Sequence, residues 1–102
     1  MTGSGQKFDS EKLRYDLVPL VAYQSLAEVF TYGARKYGDR NWKKGISKER
    51  LRAAAMRHLF AWCGGEDADP ESEIHHLAHV MANMAMIMAL SDEWDDRGDR
   101  NA

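Results

Sequence analysis

Apolar residues recur at helical spacing in three stretches of the chain. Nowhere do apolar and polar residues alternate over several positions, as a half-buried strand requires. The first stretch predicts a helix from about Val18 to Tyr37, with Val18, Ala22, Leu26, Val29, Ala34 and Tyr37 on one face. Pro19 suits its first turn, where an N–H has no intrahelical partner to lose, and Gly38 is a natural stop. The second helix runs from about Lys48 to Cys63 behind a Ser47 N-cap. Its Leu51, Ala55, His58, Leu59 and Trp62 share one face, so His58 belongs to the buried side, and Gly64-Gly65 ends it. The third begins near Asp69-Pro70 or a few residues later and ends near Ser91. Leu77, Met81, Met84 and Met88 form one row, while Val80, Ile87 and several alanines make other sides apolar too, the mark of a central or interface helix. With a short helix around Ser10 to Asp16, the pattern predicts an all-α fold: a small helical bundle of three long helices plus a short N-terminal segment.

The chain's 102 residues make one domain, 1–102, with flexible ends at 1–6 and 92–102. A chain this short builds one core with little to spare, so a deep site is more easily completed by a second copy. The Met-rich third helix predicts the same thing, a homodimer or a dimer of dimers. A net charge of -2 provides no broad basic field, which argues against a nucleic-acid polymer as partner but leaves single nucleotides open. The single cysteine, Cys63, excludes an intrachain disulfide and a cysteine-built metal site. No signal-peptide pattern and no long apolar run appears, so no membrane partner and a cytoplasmic location are expected.

The chemistry gathers where the acidic run Glu66-Asp67-Ala68-Asp69-Pro70-Glu71-Ser72-Glu73 meets His75, His76 and His79. Carboxylates and imidazoles bind divalent metals and move protons. His76, His79 and Asn83 share one stripe of the third helix, but His75 pairs with His79 just as well, and spacing does not choose between them. The bland alternatives are helix capping by the acids and hydrogen-bonded core histidines. Upstream, Lys36-Tyr37-Gly38-Asp39-Arg40-Asn41-Trp42 joins cations, aromatics and an amide in a polar segment. Either its tryptophan packs down onto the domain, or the segment holds a nucleotide. Gly33 inside the first helix costs about 1 kcal/mol against alanine, which implies close helix packing or close approach of a ligand.

These residues carry a resemblance. Lys7-Phe8-Asp9, then Lys12-Leu13-Arg14-Tyr15-Asp16-Leu17 with Pro19, resemble the opening of the phage dATP/dGTP diphosphohydrolase N-terminal family. Tyr32 to Trp42 with Gly45 resembles its central motif. Arg57-His58, Ala61-Trp62, Gly65-Glu66-Asp67, Asp69-Pro70-Glu71-Ser72, His76-Leu77-Ala78-His79 and Asn83 resemble its third block. The resemblance covers roughly residues 7 to 90 in unbroken order. It implies hydrolysis of a purine deoxynucleoside triphosphate to monophosphate and pyrophosphate, and a kinship with all-α MazG-like pyrophosphohydrolases. Those use a divalent metal, usually Mg²⁺, and assemble as dimers or tetramers. Many members of the family occur in phages that alter their nucleotide pools, which implies the host cytoplasm.

The chain departs from the MazG-like pattern. His76 and His79 stand where a Glu-x-x-Asp pair is expected, and His58 stands on the preceding helix in place of a Glu-x-x-Glu pair. The family tends to have glycine where this chain has Glu73. Mg²⁺ prefers oxygen ligands, and a mixed set suits Mn²⁺ better. The expected metal ligands are His58, Glu66, Asp67, Asp69, His76 and His79. Glu66, Asp67 and His79 are the candidates to activate water, and Lys12, Arg14 and Lys36 to contact phosphates. Trp42 or Tyr37 would stack on the purine, and Asn41 would read its edge. Two other readings are a non-catalytic nucleotide- or protein-binding module and a different His/carboxylate phosphohydrolase that releases phosphate.

Overall fold

The computed structural model describes residues 12–91. The expected flexible ends lie outside them, as do Ser10 and Glu11 of the expected short N-terminal helix; its described part, residues 12–16, forms no α-helix and only enters a 3-10 turn at Tyr15. Three α-helices form the domain: α1 Leu20–Tyr37, α2 Lys48–Cys63 and α3 His76–Leu90. A 3-10 turn, Tyr15–Leu17, precedes α1, and a second, Asn41–Lys44, turns the polar segment between α1 and α2. The all-α expectation holds. Among the described residues there is no strand, only an isolated antiparallel bridge between Ala68 and His75. No described helix is long and apolar enough to cross a membrane.

The α2 boundaries fall where the sequence put them, because both ends carry local signals. Ser47 Oγ accepts the Arg50 N–H at 3.1 Å, and Gly65 at φ +104° donates to the Trp62 carbonyl at 2.9 Å. The start of α1 shifts: Pro19, at ψ 136°, is the N-cap rather than part of the first turn. The start of α3 shifts further. Residues 66–75 fold back on themselves instead of entering the helix. Asp69 N–H donates to the Ile74 carbonyl at 2.9 Å, Glu73 N–H to the Asp69 carbonyl at 2.7 Å and His76 N–H to the Asp67 carbonyl at 2.8 Å. Glu73 has a left-handed φ of 63°, which no helix continues through.

The core is lean. Val29 on α1, with Leu26 and Phe30 beside it, packs on Ala78 and Ala82 of α3 and on Ile74. Leu51 and Ala55 are the buried apolar residues of α2. Small side chains let α3 lie close to its neighbours, and α2 is its main partner. The expected Met row is therefore not the inward row. Met84 and Met88 are exposed, and the buried stripe of α3 is His76, Ala78, His79, Ala82 and Asn83. Val18 and Tyr37, expected on the buried face of α1, are exposed as well, as are Leu59 and Trp62 of α2.

Candidate functional site

The site lies where the end of α2 meets the start of α3. The Gly64-Gly65 turn sends Glu66 back toward α3, with its N–H donating to the Ala61 carbonyl at 3.1 Å. Glu66 Oε1 then lies 2.6 Å from Nε2 of His76. An ionised carboxylate only accepts, so this imidazole nitrogen carries the proton. His76 Nδ1 faces His58 Nδ1 at 2.8 Å, a distance that requires one proton between them when no other group intervenes. His76 is 3% exposed and His58 half-buried.

A second chain of contacts runs beside the first. Asp69 Oδ2 accepts the Ser72 N–H at 2.9 Å and the Ser72 hydroxyl at 2.8 Å. With its single proton on Asp69, Ser72 Oγ accepts from His79 Nε2–H at 2.7 Å and from Ile74 N–H at 3.2 Å. That satisfies the hydroxyl fully and fixes the His79 tautomer. Asn83 steadies the helix below by donating from its side chain to the His79 carbonyl at 2.8 Å. The two chains meet where the His58 and His79 rings stack, with centroids 4.3 Å apart and planes 8° from parallel.

Burial and the neighbouring imidazole of His79 lower the pKa of His58 below its usual value, against a smaller upward pull from Asp69. Burial likewise lowers that of His79, opposed by Asp69. Burial raises the Asp69 carboxyl, but the two hydrogen bonds from Ser72 outweigh it and the net direction is down. The result is an ionised carboxylate beside imidazoles that resist protonation, the state in which these groups ligate metal.

His58, Asp69 and His76 each offer a ligand atom, and the three atoms lie within 4.8 Å of one another. Two nitrogens bound to one ion at about 2.05 Å sit about 2.9–3.4 Å apart, close to the 2.8 Å between the two Nδ1 atoms. Two imidazoles and a carboxylate therefore fit a divalent metal, and a borderline ion better than Mg²⁺.

The other expected ligands lie around this set. Glu66 holds the far nitrogen of His76. His79 Nε2 is 4.0 Å from Asp69 Oδ2, with Ser72 bonded to both. Asp67 points elsewhere: its carboxylate is 81% exposed and 3.9 Å from His75. The choice between the two neighbouring histidines is settled. His76 enters the cluster, whereas His75 is the exposed N-cap of α3, its Nδ1 accepting the Leu77 N–H at 3.0 Å. A histidine, not the acidic run, caps the helix. Glu73 keeps the turn in its left-handed conformation and stays exposed, outside the ligand set.

An open cleft of about 1360 Å³ lies between α1, the Asn41–Lys44 turn and α2, reaching His58 on α2 and His79 and Asn83 on α3. Of the expected substrate-binding residues, Tyr37, Asn41 and Trp42 line it. Trp42 is half-buried and meets Phe30 edge-on, centroids 6.3 Å apart. Packing and access to the cleft thus coexist in one side chain. Gly33 also lines the cleft, and a Cβ there would meet nothing within 4 Å, so close helix packing does not explain this glycine.

Lys12, Arg14 and Lys36 do not line the cleft. Arg14 forms a two-pronged pair with Asp16 at 2.8 and 2.9 Å. Lys36 Nζ donates to Glu71 at 2.6 Å and fastens the acidic loop to α1, which raises the lysine's pKa. Sequence reasoning missed Ser72, whose signal was the Asp-x-x-Ser spacing of a side-chain-to-backbone turn. It also missed Arg35, Arg50 and Arg57, which line the cleft together with Arg40 of the expected nucleotide-holding segment. Arg50, Ala54 and Arg57 stand at i, i+4 and i+7, a stripe beside the buried face of α2.

A family model described as "dATP/dGTP diphosphohydrolase, N-terminal" matches residues 2–100 of the chain. A protein of Salmonella phage PMBT28 named dATP/dGTP diphosphohydrolase is 33% identical over 97 residues, which are 95% of this chain and 33% of that protein. The chain thus spans about a third of the length of the curated relative it matches. No solved structure gives a significant match.

Proposed function

The chain belongs to the dATP/dGTP diphosphohydrolase N-terminal family, and on that footing we propose that it hydrolyses dATP or dGTP to the monophosphate and pyrophosphate with a divalent metal. The observation that carries the reading is the convergence of His58, Asp69 and His76 beside a cleft large enough for a nucleotide. These three residues would hold the ion. When bound it supplies positive charge against the phosphate oxygens and lowers the pKa of water.

The chain's own residues do the rest. Glu66 accepts from His76 Nε2–H, which turns Nδ1 toward the ligand position and strengthens it as a donor. Ser72 aims the Asp69 carboxylate and keeps His79 at its back. Trp42 and Tyr37 offer aromatic faces to a purine, and Asn41 an amide for its edge. The reading extends to a MazG-like mode of assembly. The exposed Met84 and Met88 of α3 and Met56 and Phe60 of α2 support a homodimer or homotetramer. It places the work in nucleotide-pool control in the cytoplasm of a phage-infected host.

A panel of dNTPs with Mn²⁺ or Mg²⁺, with product analysis, tests the proposal. Pyrophosphate and monophosphate from dGTP or dATP are expected. Release of orthophosphate, or no turnover with either metal, would falsify it. One observation favours a second reading, that of a nucleotide-binding module without catalysis: two thirds of the phage relative lies outside the match. Binding of dGTP without turnover marks that outcome.

A further inference from the structure

Four arginines, Arg35, Arg40, Arg50 and Arg57, line the cleft that leads to His58 and His79, and Asp39 is the one carboxylate lining it among the described residues. The local balance is therefore four cations against one anion, in a protein whose net charge is -2. Two of the cations outside the cleft are already neutralised. Arg14 and Lys36 are each paired with a carboxylate of their own chain. Among the described residues, none of the four cleft arginines has a side-chain hydrogen bond or ion pair.

Unpaired guanidinium groups gathered around one cleft repel one another, and an anion relieves that repulsion. The guanidinium fork matches phosphate oxygens two at a time, which a lysine does not. Arg50 and Arg57 project from one stripe of α2, seven residues or about 10.5 Å apart along the axis. That span suits a chain of phosphates rather than a single one. Arg57 precedes His58 directly, so the stripe ends at the imidazole cluster. From the opposite side, Arg40 is held at φ 51° by the turn after α1 and Arg35 comes from the last turns of α1.

We infer that this arginine-lined wall is the polyphosphate-binding subsite of the chain, taking the triphosphate of a nucleotide with Arg50 and Arg57 as its principal contacts. The inference rests on the proposed function and deepens it: the phosphate-binding charge comes from these arginines and not from Lys12, Arg14 or Lys36. The apolar and aromatic end of the cleft at Phe30 and Trp42 is left for the base.

Calorimetric titration of the full chain with inorganic tripolyphosphate tests it, using Arg50→Gln, Arg57→Gln and the double variant. Arg52→Gln is the control: it lies on the same helix, is exposed and is outside the cleft. Each cleft variant is expected to bind tripolyphosphate and dGTP about tenfold more weakly, and the double variant about a hundredfold. Arg52→Gln should stay within about twofold, and deoxyguanosine binding and melting temperature should not change. Equal losses in Arg52→Gln, wild-type affinity in the double variant, or tighter binding of an oligodeoxynucleotide than of tripolyphosphate overturns the inference. Its failure is separable from that of the function. Arginine-dependent tripolyphosphate binding without pyrophosphate release overturns the activity alone. Turnover of dGTP by the double variant with wild-type kcat/KM and tripolyphosphate affinity overturns the subsite alone.

Discussion

The Nδ1 atoms of His58 and His76 face each other at 2.8 Å, with Asp69 alongside. Two lone pairs aimed at one place share either a proton or an ion. Metal binding must then expel the proton. Mn²⁺ or Zn²⁺ is expected to raise the melting temperature of the wild-type chain by several degrees. His58→Ala and His76→Ala should lose that rise, and the wild-type binding enthalpy should vary with the ionisation enthalpy of the buffer. A metal-induced shift that survives both substitutions moves the ion elsewhere.

Ser72→Ala tests the second chain of contacts. It removes the hydroxyl that Asp69 and His79 share and leaves both part-buried groups short of a partner. The expected loss is about 1–3 kcal/mol in chemical denaturation of metal-free protein. Ser72→Thr keeps the hydroxyl and should recover most of it. A loss under about 0.5 kcal/mol would show that water replaces the hydroxyl freely.

The stability of the metal-free chain should fall as pH drops from about 7.5 to about 5.5. Burial lowers the folded-state pKa of His58 and of His79 below the value of 6.5 expected when unfolded. The unfolded state therefore binds more protons in this window, so stability rises with pH through it and levels off about one unit above the unfolded value. The carboxylates with lowered pKa values act well below this range. Urea midpoints measured with chelator present check the slope, and a flat or inverted profile between the two pH values contradicts it.

Glu73→Gly is expected to stabilise the chain by about 1 kcal/mol. Glu73 holds a left-handed φ of 63° with its side chain exposed and clear of the imidazole cluster. Glycine adopts that conformation without the Cβ penalty, an advantage larger than its greater freedom when unfolded. A drop in melting temperature would show that the Glu73 carboxylate has a role of its own.

Trp42→Ala should do two things at once. Losing the edge-on contact with Phe30 should cost about 1–2 kcal/mol of stability. Losing a ring on the cleft wall should weaken dGTP binding about tenfold or more, the scale of one base–aromatic stack. Paired melting and titration data separate the effects. Unchanged affinity in the folded fraction would leave Trp42 a packing residue only.

The sequence by itself determined the three helices and the identity of the chemical groups, because both rest on local signals. Ser47, Gly38 and Gly65 act through the backbone of their own turn, and an apolar period needs no partner to be read. Spacing also placed His76, His79 and Asn83 on one stripe. What spacing left open, the tertiary structure decided. His76 rather than His75 enters the cluster because the bridge at Ala68 and His75 starts α3 one residue later, with His75 as its cap. The Met row of α3 turns outward because Ala78 and Ala82 allow the close approach that the large side chains forbid. Lys36 was read as a phosphate contact on its charge, yet it holds Glu71, while Arg50 and Arg57 face the open cleft. A charge is local, but its partner is whatever the fold brings within reach. Residues 36 and 71 meet only after α1 and the acidic loop have packed.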